Sequence, residues 1–209
     1  MRKKLFYLLC VLVLSACENA PFKVSNARTA TMLTTESSHP DSSRVARIQR
    51  MKQLTAIESA FARRTTPERA AHLARICYDK TVGTVFTPFD LAEIALAETG
   101  GHQLSAHAVS SEGAVGVWQL MPRRARNHGY TAADMRDDAK CAEAAVRELY
   151  VKLDMAQGDL ERAKKYYCGQ GPQALAYLKK IRHIRREMMV DYERQNDKVA
   201  QSEPLTKIR

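Results

Sequence analysis

No stretch of this 209-residue chain alternates like a β-strand, no segment repeats, and no Gly-x-Gly-x-x-Gly turn appears. Sheet-based dinucleotide folds and repeat arrays are thereby excluded, and the helical spacing that remains predicts a mainly α protein. Metal-ligand spacing is missing too. There is no Cys-x-x-Cys pair or His–Cys cluster, and His102, His107, His128 and His183 are scattered, so neither a metal nor another cofactor is expected. The apolar run Leu5 to Leu14 falls well short of the roughly 20 residues a membrane-crossing helix needs.

What stands around that run is informative. Arg2-Lys3-Lys4 precede it and the small residues Ser15-Ala16 follow, the pattern of a secretory signal peptide over residues 1–16. Leu14-Ser15-Ala16-Cys17 resembles a bacterial lipobox, which makes Cys17 the expected lipidation site and the membrane a partner through an N-terminal lipid. Glu18, where aspartate would favour inner-membrane retention, points to the periplasmic face of the outer membrane. The formal charge of +10 falls to +7 once residues 1–16 leave with Arg2, Lys3 and Lys4. Such a surface attracts polyanions, and export removes nucleic acid from the candidates. The densest basic run, Arg182 to Arg186, reads as a solvated helix face.

Residues 17–45 are rich in Ser, Thr, Asn and Pro and read as a flexible tether. Residues 46–86 form an N-terminal helical segment, helical from Ile48; residues 87–190 carry the chemistry; residues 191–209 are a polar tail. Thr66-Pro67 and Thr87-Pro88 start helices with proline in the first position, and Asp90 is placed to close a capping box. Gly158-Asp159 opens a further helix.

The helix from Pro88 aligns Leu91, Ile94, Ala95 and Glu98 on one stripe before Gly100-Gly101 end it. Glu98 therefore faces the core or a cleft, in the last turn, where the helix dipole is negative. Burial and dipole both disfavour the carboxylate and raise its pKa, as a general acid working near neutrality requires. Asp90, Glu93 and Glu112 offer no compelling second carboxylate.

After Glu98-Thr99 come Ala108-Val109-Ser110, Gly113-Ala114, Gly116, Gln119 and Met121-Pro122. This pattern resembles the lytic transglycosylase (SLT domain) family. Gly116-Val117-Trp118-Gln119 with Arg126-Asn127-His128-Gly129-Tyr130 is most similar to the membrane-bound lytic murein transglycosylases of the D type. The resemblance implies a lysozyme-like lytic transglycosylase domain acting on the glycan strands of peptidoglycan. It makes Glu98 the catalytic acid and base, and puts Ser110, Gln119, Met121 and Tyr167 at substrate-binding positions. Trp118, the only tryptophan, is either a sugar-stacking face or a core plug, and core is favoured. The implied reaction cleaves the bond between N-acetylmuramic acid and N-acetylglucosamine without water, leaving a 1,6-anhydromuramic end.

Two features depart from the pattern. Thr99 replaces a serine and keeps its hydroxyl. Cys168 stands where the family has an asparagine, and a thiol is a poor substitute for an amide. Relatives attached to secretion machines imply a disulfide between Cys77 and Cys141, with Cys141–Cys168 the rival pairing; a secretion or envelope machine is then a candidate partner. A hydrolytic muramidase and a glycan-binding scaffold remain the alternative functions.

Overall fold

Each helix start has a visible cause. Thr66 is extended (φ −68°, ψ 152°) and its hydroxyl accepts from Arg69 N at 3.4 Å, with Pro67 opening the first turn. Asp90 accepts from both the backbone N and the hydroxyl of Thr87 at 2.7 Å, closing the expected capping box. Asp137 and Asp159 cap the next long elements through Lys140 N at 2.9 Å and Arg162 N at 3.0 Å.

The computed structural model describes residues 40–202. The expected signal peptide and the lipidation site Cys17 lie outside them. The helices are α1 (Pro40–Ala62), α2 (Pro67–Thr81), α3 (Pro88–Thr99), α4 (Pro122–Asn127), α5 (Asp138–Met155), α6 (Leu160–Cys168) and α7 (Pro172–Ser202), with single 3₁₀ turns at Gly100–His102 and Ala133–Arg136. Among the described residues there is no strand, only the isolated bridges Val109–Val115 and Val115–Leu120. No described helix is long and apolar enough to cross a membrane. The mainly α expectation therefore holds.

Helix α3 is the centre. Leu91, Ala92, Ile94 and Ala95 are almost completely covered, with α1, α2 and α7 packed around them. Two arginines fasten the N-terminal helices to this core. Arg50 on α1 donates to the carbonyls of Thr81, Phe86 and Thr84 at 2.8, 2.9 and 3.2 Å. Arg69 on α2 reaches the Leu104 carbonyl and grips Asp138 with both terminal nitrogens, at 2.9 and 3.0 Å.

A second fastening is ionic. Asp90 and Glu93 of α3 are buried and both pair with Lys164 of α6 and Arg185 of α7; Lys164 lies 2.6 Å from Asp90, and Arg185 Nε lies 2.7 Å from Glu93. Burial alone would raise the Asp90 pKa, but the two cations overcome it and hold the group down at about 2. Arg185 is therefore no part of a solvated basic face: it caps a buried carboxylate pair. Its neighbour Arg182 does face solvent, bridging Glu161 at 2.6 Å.

Two expected boundaries move. Helix α1 begins at Pro40, inside the segment read as a tether, and α7 continues to Ser202 through the expected tail. Docking explains the latter. Asp191 pairs with Arg63 at 2.8 Å, Tyr192 meets Phe89 edge-on at 5.9 Å, and Gln195 reaches Ser59 at 3.4 Å. Residues 191–195 thus pack on α1 and α3 instead of leaving the protein.

Candidate active site

Four elements converge on the last turn of α3. Glu98 is half-buried there, while Thr99 beside it is fully covered. The Thr99 hydroxyl lies 2.8 Å from the carbonyl of Val117 and 3.2 Å from that of Ala95. Trp118 donates its indole N–H to the Leu91 carbonyl at 2.9 Å and has no exposed surface. It is a core plug, as favoured from the sequence, and it pins the loop carrying Gln119 to the flank of α3.

That loop is tightly wound. Gly116 (φ +84°) sits so close to Met135 that a Cβ would meet its carbonyl oxygen at 2.0 Å and the Cys141 sulfur at 2.9 Å, so only glycine fits. Gln119 adopts the left-handed conformation (φ 49°) and spends its amide nitrogen on the carbonyls of Gly116 and Ala108, at 2.7 and 3.2 Å. No donor among the described residues reaches its amide oxygen, which is left to accept from a ligand. The Ser110 hydroxyl oxygen accepts from Ala114 N at 3.0 Å, so its proton stays available. Met121 is half-buried and precedes α4.

The electrostatics of Glu98 follow from these neighbours. Burial pushes its pKa up to about 7, opposed by the Tyr177 hydroxyl and then by the charges of Lys180 and Arg124. Asp90 and Glu93 are locked in the ion cluster, and Glu112 is exposed. The site thus presents one carboxyl that holds its proton near neutrality, with those three carboxylates engaged or turned to solvent.

Tyr167 lies behind the site. It is almost wholly buried, and its hydroxyl donates to the Trp118 carbonyl at 2.9 Å, so it braces the Gln119 loop from α6 and is not free for sugar. The hydroxyl beside Glu98 belongs to Tyr177 on α7, which is buried and completes no hydrogen bond of full geometry with any described residue. Sequence reasoning missed Tyr177; the signal was its place one helical step before the covered Ile181 on α7. Arg124 was missed as well. It donates to the Tyr167 carbonyl at 2.7 Å and lies 3.4 Å from Glu148, which in turn holds His128 at 2.8 Å and Lys152 at 3.0 Å.

The three described cysteines are free. Cys77 is fully buried on α2 and Cys141 lies under Gly116, so each packs as a small apolar group, and the expected Cys77–Cys141 bridge is not formed here. Cys168 ends α6, exposed and near Glu98; burial and the Glu98 charge raise its thiol pKa, while Arg124 opposes them.

Residues 87–183 match the family model described as the Transglycosylase SLT domain. No curated protein and no solved structure matches the chain. The matched span starts at the cap of α3 and ends on α7, enclosing Glu98, the Gln119 loop, Tyr167 and Tyr177.

Proposed function

We propose that this chain, whose SLT match supports the lytic transglycosylase family and activity on peptidoglycan, cuts the β-1,4 bond between N-acetylmuramic acid and N-acetylglucosamine and leaves a 1,6-anhydromuramic end. The observation that carries this reading is the isolation of Glu98: a half-buried carboxyl lifted to about 7, with Asp90 and Glu93 neutralised by Lys164 and Arg185. Glycoside hydrolysis ordinarily needs two carboxyl groups across the bond. An intramolecular attack needs one.

Glu98 first gives its proton to the oxygen leaving C1, and the substrate's own acetamide steadies the positive charge that develops there. The resulting carboxylate then takes the proton of the C6 hydroxyl as that oxygen attacks C1. One C–O bond breaks and one forms within the same sugar, and Glu98 ends protonated, ready for another cycle. The Tyr177 hydroxyl stabilises the intermediate carboxylate, and Lys180 and Arg124 add positive charge beside it. The Gln119 amide oxygen and the Ser110 proton are placed to bind sugar hydroxyl or acetamide groups.

Attachment by a lipid on Cys17 to the periplasmic face of the outer membrane, as in the D-type lipoproteins, is part of this reading and rests on the sequence through Glu18. Service to an envelope machine is a further part of it, resting on the placing of Cys77 and Cys141, which is similar to that of relatives attached to secretion machines.

The test is digestion of purified peptidoglycan by the protein in detergent, beside Glu98→Gln, with released muropeptides weighed by mass spectrometry. Anhydromuropeptides from the parent alone are expected. Products heavier by one water would make it a muramidase. Sacculus binding without release from either protein would leave a glycan-binding scaffold, with Cys168 as the reason to look first.

A further inference from the structure

The first half of α1 turns an apolar strip away from the core. Arg44, Ile48, Met51 and Thr55 follow one another at helical spacing on the side opposite the covered Ala56, Ile57, Ala60 and Phe61. Ile48 and Met51 are each 46% exposed, with Arg47 and Lys52 on either flank. Residues 42–57 hold Arg44, Arg47, Arg50 and Lys52 and no carboxylate. Arg50 is spent on the carbonyls of Thr81, Thr84 and Phe86. The other three cations are exposed and enter no ion pair among the described residues.

A second apolar point adjoins the strip. The turn between α2 and α3 holds out Val82 and Val85, at 57% and 67% the most exposed of the described large hydrophobic residues. Arg47 borders both places: it lines one depression with Ile48 and Met51, and another with Tyr78, Val82 and Gly83. The three Arg50 bonds fix the turn to the helix, so the two form one platform. Bulky aliphatic groups held out together among cations mark an interaction surface.

The position of the platform says what it faces. Phe86 and the turn stand at the start of α3, and Glu98 lies about 15 Å further along that helix. The platform is also the end from which the chain runs back to Cys17. Helix α1 begins at Pro40, and residues 18–39 form a leash of at most about 80 Å.

We propose that this platform seats on an anionic phospholipid surface, with Arg44, Arg47 and Lys52 meeting headgroup phosphates and the four aliphatic side chains entering the acyl boundary. The choice of a membrane rests on the lipid attachment of Cys17 proposed above. Charge and polarity argue against the nearer rivals. A second copy seated by two-fold symmetry would set the three cations against themselves. Peptidoglycan carries carboxylates but has no acyl layer to receive Ile48, Met51, Val82 and Val85. Seated in this way, the protein holds Glu98 at the end of α3 away from the bilayer.

The experiment uses the mature chain, residues 17–209, with Cys17→Ser so that no lipid is attached. It is sedimented with vesicles of phosphatidylethanolamine and phosphatidylglycerol, and with vesicles of phosphatidylcholine alone. The parent should bind the anionic vesicles only, and high salt should release it. Each basic group near an anionic surface is worth about fivefold in partitioning, so Arg44→Glu/Arg47→Glu/Lys52→Glu should weaken binding by about a hundredfold. Ile48→Ser/Met51→Ser should weaken it by about tenfold. Arg136→Glu/Lys179→Glu/Arg186→Glu makes the same change of charge at exposed sites elsewhere and should cost far less. No binding by the parent, equal binding to both vesicles, or equal loss in the two triple variants would overturn the platform. So would a parent dimer, seen by sedimentation velocity, that the first triple variant dissolves. Cleavage of membrane-free sacculi should be the same in the parent and that variant; its loss there would give the face to the glycan instead. The mass of the full chain purified from cells reads acylation separately. An unmodified Cys17 beside intact vesicle binding would sink the lipid attachment and leave the platform standing.

Discussion

Tyr167 donates its hydroxyl to the carbonyl of Trp118, 2.9 Å away, and leaves the place beside Glu98 to Tyr177. The two tyrosines have separate tasks. One braces the loop that carries Gln119, and the other modulates the acid. Tyr177→Phe removes a buried hydroxyl that has no full hydrogen bond. Relieving that desolvation should hold or raise stability by up to about 1 kcal/mol. Glu98 loses a group that lowers its pKa, so the alkaline limb of the rate profile should move to higher pH while the maximal rate falls. Thermal melts and a pH–rate profile on the same sample check the pair of effects.

Glu98→Gln should abolish turnover and also stabilise the fold in a pH-dependent way. A carboxyl raised from 4.5 to about 7 contributes its stability in full below pH 4.5 and loses it as pH rises through 7. The variant and parent should therefore melt alike near pH 4. Above pH 8 the variant should gain up to about 3 kcal/mol. Denaturant titrations at both pH values read this directly; a constant difference would contradict the raised pKa of Glu98.

Lys164→Met strands Asp90 and Glu93 with Arg185 alone, and breaking a buried pair of this kind costs about 3 kcal/mol or more. The Asp90 pKa is depressed from 3.8 to about 2, so its stabilisation is present above pH 3.8 and lost as pH falls through 2. The gap between variant and parent should be widest at pH 7 and close in that acid window. Melting curves at pH 7 and pH 2.5 test it.

Gly116→Ala should be severely destabilising, by about 3 kcal/mol or more, because a Cβ there meets a backbone oxygen at 2.0 Å in a left-handed conformation. Loss of soluble protein, or a large fall in melting temperature, is the expected outcome. Ala114, which is buried in the same loop at ordinary φ, should tolerate serine far better.

Thiol titration separates the free cysteines from the disulfide implied by the resemblance. Of Cys77, Cys141 and Cys168, only Cys168 should label in the folded protein, since Cys77 and Cys141 are buried and the Cys141 pKa is pushed up to about 12. Unfolding without reductant should release two further thiols among these three positions. Release of none would establish the Cys77–Cys141 bridge instead.

Local chemistry was the legible part of the sequence. Thr66-Pro67, Thr87-Pro88 with Asp90, and Asp159 announced helix starts because a cap is written in neighbouring residues. Glu98 was legible because its stripe on α3 is shared with Leu91, Ile94 and Ala95. Pairings across the chain were not legible. Asp90 and Arg185 are 95 residues apart, and nothing nearby distinguishes Arg185 from the solvated Arg182. The same holds for Tyr167 and Tyr177: both project from helices toward Glu98, and only tertiary placement decides which hydroxyl is spent on a backbone carbonyl. The far end of α7 escaped for a related reason. Its polar residues become ordered by docking against the end of α1, through Arg63–Asp191 and Ser59–Gln195.

Helix α1 lies wholly outside residues 87–183, yet its Ile57 and Phe61 have no exposed surface and its Arg50 holds three carbonyls of the turn that leads into α3. The span matched by the family model and the unit that folds are consequently different pieces of chain. A graft cut to the matched span would carry the acid and its loop but lose the wall against which α3 is pressed. Any transplant of this site into another scaffold must bring the first two helices along, or build a replacement for them.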